Sequence, residues 1–181
     1  MALRASIYKA ELSVADIDRG YYADHSLTIA RHPSETEERM MVRVLAFALH
    51  ADTALQFGRG LSSDDDPDLY RADLTGAFDE WIDVGWPDER RVRRACSRSR
   101  SVAVLTYGGP KADVWWSQNA STLMRSDNLS VLAVPASATD ELAALAQRAM
   151  RLNCTMQEGQ VLFGSDGAHV AFEPVVLKRL A

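Results

Sequence analysis

Lysine and cysteine are both scarce in this chain of 181 residues. There are three lysines (Lys9, Lys111, Lys178) against 17 arginines, and two cysteines, Cys96 and Cys154. Neither cysteine sits at a metal-ligand spacing, so a cysteine-based metal site is excluded and two reduced thiols in a cytoplasmic protein are expected. The four histidines, His25, His32, His50 and His169, are scattered, which argues against zinc. No apolar run approaches the roughly 18 residues of a membrane span, so no membrane partner is expected. The opening stretch MALRASIYKAEL lacks a basic-then-apolar order, so no signal peptide is expected either. A Gly-rich phosphate loop, a GxSxG elbow and a nucleophile–base pair are all missing, which makes a small-molecule enzyme the weakest reading.

What is present is an ordinary globular composition, 47% hydrophobic and 25% charged, with net charge −5. A negative chain does not wrap nucleic acid over a broad face, so any such contact is local. Hydrophobic periodicity predicts strands over 5–14 and 22–31, with Tyr8, Ala10, Leu12 and Val14 on one buried face. Ser34 and Glu37 form a capping-box pattern that predicts a helix to about residue 51. A short strand near 53–57 is followed by a loop over 58–67. Its run Asp64-Asp65-Asp66 is read as solvated, with Ca²⁺ binding as the other option. A hairpin over 68–74 and 77–84 follows. Pro87 at a first helical position, with Asp88 and Glu89 in the first turn, predicts a helix to about 98. The apolar, β-branched run 101–107 predicts a buried strand. Beyond it the pattern predicts a helix over 111–124, a strand over 129–134 and a helix over 137–149. Strands near 152–157, 160–164 and 168–177 close the chain. The whole reads as one mixed α/β domain, residues 1–181.

The hairpin carries the chemistry. With Thr75-Gly76 as a two-residue turn, the opposed pairs include Asp73/Phe78, Ala72/Asp79, Arg71/Glu80, Tyr70/Trp81, Leu69/Ile82 and Asp68/Asp83. The opposite-charge, aromatic and apolar pairs support this register. The last pair breaks the pattern. Two carboxylates whose Cβ atoms stand about 5 Å apart repel, or one takes up a proton. A divalent cation relieves this by taking both as ligands. The other reading is that both splay into solvent at the strand ends.

The stretches RHPSETEERMMVR, WIDVGWPDERR and PKADVWWSQN, in this order and at these distances, resemble the YaeQ family over essentially the whole chain. That family is assigned to the PD-(D/E)XK nuclease-like superfamily. The resemblance therefore implies a restriction-endonuclease-like core, a mixed sheet flanked by helices, with added N- and C-terminal strands. It implies that Pro67-Asp68 is the PD element and that Asp83-Val84-Gly85 stands for (D/E)-x-K. Asp68 and Asp83 would hold Mg²⁺ or Mn²⁺, and Glu38 on the early helix would be aimed at the metal. The motif lysine is replaced by Gly85. The following helix carries Arg90, Arg91, Arg93, Arg94 and Arg98, which can hold phosphate but accept protons poorly.

On that helix Val92, Ala95, Cys96 and Ser99 define one face and the arginines largely the other. The arginine face is either a phosphate-binding stripe, led by Arg90, Arg91 and Arg94, or an ordinary solvated face. Trp86, Trp115 and Trp116 are candidates for base stacking or for packing, and Gln118 for a polar contact. The functions implied are a metal-dependent nuclease of slow or lost turnover, or an inactive nuclease-like module. The second would bind nucleic acid or a protein partner linked to transcription elongation.

Overall fold

A computed structural model of the chain describes residues 4–59 and 65–181; residues 60–64, with Gly60, both loop serines and Asp64, lie outside the described residues. The elements in chain order are β1 (Ser6–Asp16), β2 (Tyr21–Arg31), α1 (Glu37–Leu49), β3 (Gln56–Phe57), β4 (Leu69–Ala72), β5 (Phe78–Val84), α2 (Glu89–Arg98), β6 (Ser99–Thr106), α3 (Pro110–Leu123), β7 (Leu129–Ala133), α4 (Ala136–Ala144), β8 (Ala149–Gln157), β9 (Gln160–Gly164), β10 (His169–Phe172) and β11 (Val175–Lys178). The fold is mixed α/β, with two mixed sheets and four helices among the described residues. Among them no helix is long and apolar enough to cross a membrane. The chain divides into two compact units, one of residues 1–51 and 137–174, the other of residues 52–136 and 175–181.

In the first unit the sheet order is β10-β9-β8-β1-β2. Strand β1 pairs antiparallel with β2 and parallel with β8. Its alternation buries Tyr8, Ala10, Leu12 and Val14, as the period of two requires. Helix α1 begins later than the Ser34 pattern predicts. Thr36 is its N-cap and accepts from the Arg39 amide at 3.1 Å, while the Ser34 hydroxyl meets the His32 ring at 2.6 Å. Every residue from Met40 to Ala48 is buried, so over that span α1 has no solvent face. That run includes Arg43, whose Nε and Nη2 fork onto the two oxygens of buried Glu35 at 2.8 and 2.7 Å. A buried carboxylate without such a partner costs several kcal/mol. Helix α4 stops at Ala144 rather than 149, because parallel pairing with β1 recruits the following residues. The Lys9 amide already donates to Arg148 at 2.9 Å.

In the second unit the order is β11-β7-β6-β5-β4-β3. Strands β5, β6 and β7 run parallel, joined by α2 and α3. Trp81, Val102, Val104, Leu129 and Val131 on one sheet face pack against Val92 and Ala95 of α2 and Trp115 and Leu123 of α3. The single strand predicted over 168–177 is two. Glu173-Pro174 separates β10 from β11, which belong to different sheets, and Pro174 has no amide to donate.

The β4–β5 register needs two corrections that offset each other. The Asp73 amide donates to Ala77 and the Gly76 amide to Asp73, at 2.9 and 3.0 Å, so the turn is a three-residue loop and not the two-residue one. Ala72 therefore faces Phe78, not Asp79. A bulge at Asp79 then adds the residue back, and Arg71/Glu80, Tyr70/Trp81 and Leu69/Ile82 pair as expected. Gly76 holds the loop's left-handed position at φ 87°, with nothing near a prospective Cβ. Gly76→Ala is expected to cost about 1 kcal/mol in urea unfolding, and Gly76→Asn clearly less, since Asn tolerates this region. Equal losses in both variants would contradict the turn assignment.

Candidate functional site

The site is built by three neighbouring segments of the second unit. Pro67-Asp68 leads into β4, Asp83 is the penultimate residue of β5, and Asp88 opens α2. Because the register is regained before Leu69/Ile82, its continuation sets Asp68 opposite Asp83. Alternation from Trp81 puts Asp83 on the face that α2 covers. Neither aspartate splays into solvent: Asp68 is 5% exposed and Asp83 1%.

Each carboxylate has named partners. Oδ2 of Asp68 accepts from the Val84 amide at 2.8 Å. Asp83 is gripped by Arg91, whose Nε donates to Oδ2 at 2.7 Å and whose Nη2 donates to Oδ1 at 2.8 Å. The same Nη2 donates to the Asp66 carbonyl at 2.7 Å. The helix start fixes this arginine. Asp88, and not Pro87, begins the helix as N-cap, and it accepts from the Arg91 backbone amide at 2.7 Å. With Val92 and Ala95 buried on the sheet, Arg91 faces inward beside them, and its guanidinium lies 6.0 Å from the Trp81 ring centre. Burial pushes the Asp83 carboxyl above the usual carboxylate range. The bonds from Arg91 oppose that rise and the charge of Asp68 adds to it.

The remaining candidates have other surroundings. Arg90 is exposed, Arg94 pairs with Asp65, and Arg93 lies 3.4 Å from Glu89. Arg98 stands over Trp81. Glu38 is half-buried on α1, in the first unit, whereas both aspartates belong to the second. Trp115 is buried with its indole N–H on the Pro87 carbonyl at 2.7 Å, so it packs and does not stack on a ligand. Trp86 donates to the Tyr107 carbonyl, and Lys111 Nζ sits 3.7 Å from its ring centre. Trp116 is half-buried and Gln118 exposed. Both cysteines are free thiols. Gly85 has φ 104°, a conformation that side chains rarely adopt, so the backbone here disfavours a lysine at this position.

A divalent metal ion does not fit this arrangement. Mg²⁺ wants about six oxygen ligands. Both oxygens of Asp83 and one of Asp68 are already engaged. Among the described residues no group of three or more His, Cys, Asp or Glu side chains converges. The arrangement can instead keep two carboxylates together without a metal. Sequence reasoning missed Arg91 as the partner of Asp83. The signal was Asp88: as N-cap it places Arg91 at the third helical position.

Comparison with known proteins gives one consistent answer. The family model described as YaeQ protein matches residues 1–174. The uncharacterized protein YaeQ of Escherichia coli is 46% identical over 166 residues, 92% of either chain, and that of Salmonella typhi 45% identical over 161 residues, 89% of either chain. The crystal structure of YaeQ protein from Xanthomonas axonopodis pv. citri superposes with TM-score 0.94 at 53% identity, covering 96% of this chain and 98% of that one. The YaeQ protein from Pseudomonas syringae gives 0.89 at 36%, covering 97% of each.

Replacing Arg91 leaves Asp83 ionised, buried and uncompensated. Arg91→Gln is expected to cost about 3 kcal/mol at neutral pH, the low end for a broken buried pair because Arg91 is partly exposed. Without the guanidinium the folded-state pKa of Asp83 rises further above its unfolded value. The loss is therefore full above the folded pKa and fades as pH falls through it. Urea unfolding of both proteins at neutral and at mildly acid pH checks this. A loss independent of pH would contradict it.

Proposed function

The chain belongs to the YaeQ family, and on that premise we propose that it is a PD-(D/E)XK nuclease-like protein that binds nucleic acid with slow or lost turnover. The element order α1, β3, β4, β5, α2, β6 supports the core assignment, since it runs helix, three strands, helix, strand. The acidic pair stands at the hairpin that this core uses. The observation that carries the reading on turnover is the Arg91 fork on Asp83. Hydrolysis of a phosphodiester needs a water activated by a metal or a base. Asp83 has its oxygens committed, and Gly85 replaces the lysine. Asp68 and Asp83 take Mg²⁺ or Mn²⁺ only if Arg91 leaves.

Phosphate affinity can survive without turnover. Arg90 projects into solvent from the first turn of α2, and Arg94 is half-exposed one turn on. A guanidinium binds phosphate bidentately and stays charged. Two observations weigh against broad nucleic-acid contact and so favour the second reading, an inactive interaction module with a protein partner. The net charge is −5, and Arg93 and Arg94 already face carboxylates.

Anisotropy with labelled single-stranded and duplex oligonucleotides separates these readings. Binding at low salt is expected, falling as salt rises, because each phosphate contact releases counterions. Charge reversal at Arg90 and Arg94 should weaken it and flatten the logarithmic salt slope by about 2. Arg148→Glu, in the first unit, should not. Robust cleavage by the wild type with Mg²⁺ would overturn lost turnover. Absence of binding at low salt would favour the protein-interaction role.

A further inference from the structure

Two buried carboxylates facing each other need a cation or a proton between them, and a cation, where there is one, decides what the site can do. A metal would bring open coordination positions for water and phosphate. A guanidinium brings none. It donates only, it stays protonated, and its planar fork matches both oxygens of one carboxylate.

We propose that Arg91 is the resident counter-ion of the Asp68–Asp83 pair, and that Arg91 and a divalent cation are mutually exclusive occupants of it. Four contacts argue that the guanidinium is built into place. Nε and Nη2 take the two oxygens of Asp83 at 2.7 and 2.8 Å. Nη2 also takes the Asp66 carbonyl at 2.7 Å, and the Asp88 cap holds the Arg91 backbone at 2.7 Å. The Arg91 side chain is 22% exposed and that of Asp83 2%, so a cation arriving from solvent meets the arginine before the carboxylate. Asp68 offers little alone, because one of its oxygens serves the Val84 amide. The acidic pair is thus a latent metal site closed by its own chain. Removing one residue should open it.

The inference rests on the acidic pair named above but not on nucleic-acid binding, so its test contains no nucleic acid. Titration calorimetry with MnCl₂ is run on the full chain as wild type, Arg91→Gln, Arg91→Lys and the double variant Arg91→Gln/Asp83→Asn. The wild type should show no saturable site at millimolar Mn²⁺. Arg91→Gln should gain one, at least tenfold tighter, and the double variant should lose it. Lysine keeps the charge but cannot fork, so Arg91→Lys should bind Mn²⁺ between the two; it serves as the deciding variant if Arg91→Gln fails to fold. Thermal melts with and without Mn²⁺ give a second readout, with stabilisation expected in Arg91→Gln and not in the wild type. The proposal is overturned if the wild type binds Mn²⁺ as tightly as Arg91→Gln. It is equally overturned if the folded Arg91 variants gain no Mn²⁺ affinity over the wild type.

Discussion

Asp83 is a carboxylate placed where a sheet would ordinarily bury an apolar side chain, and the second unit is arranged to keep it ionisable there. It is 1% exposed and lies on the face packed under α2. Burial of an unpaired carboxylate costs several kcal/mol, more than the marginal stability of a domain readily absorbs. The Arg91 fork opposes that cost, and everything that positions Arg91 follows from it. Asp88 caps the helix, Val92 and Ala95 set its rotation on the sheet, and the Asp66 carbonyl completes the donor set.

The first unit solves a similar problem in the same way. Glu35 is buried, and Arg43 forks onto both its oxygens from α1, with Arg39 adding a third bond at 2.9 Å. Each unit thus holds a buried carboxylate with a bidentate arginine from a helix. This gives a physical account of part of the excess of arginine over lysine in the composition. Lysine is a point charge that cannot fork, and its burial favours the neutral form, whereas arginine stays charged. The excess of arginine is therefore in part an internal structural device.

Much of the fold was legible because period-two and helical patterns are local. The buried alternation of β1, the buried strand β6 and the helix α2 all follow from it. The juxtaposition of Asp68 with Asp83 was legible too, though through two errors that cancel, a three-residue turn and a bulge at Asp79. Three features were not legible. Thr36 displaces Ser34 as the cap of α1 because Ser34 engages His32. Arg91 turns inward because apolar residues alone define a helix face in sequence, while a buried carboxylate across the packing interface draws a cation into it. Gly85 reads as a missing lysine, yet its φ of 104° is a backbone requirement that only the fold reveals.

Arg91 governs how far burial raises the Asp83 carboxyl. Carbon-13 NMR titration of the aspartate side-chain carboxyls in the wild type and in Arg91→Gln measures this directly. Asp83 should titrate above the ordinary carboxylate range in the wild type, raised by burial and by Asp68, and higher still once the fork is gone. The same Asp83 titration in both proteins would contradict the account.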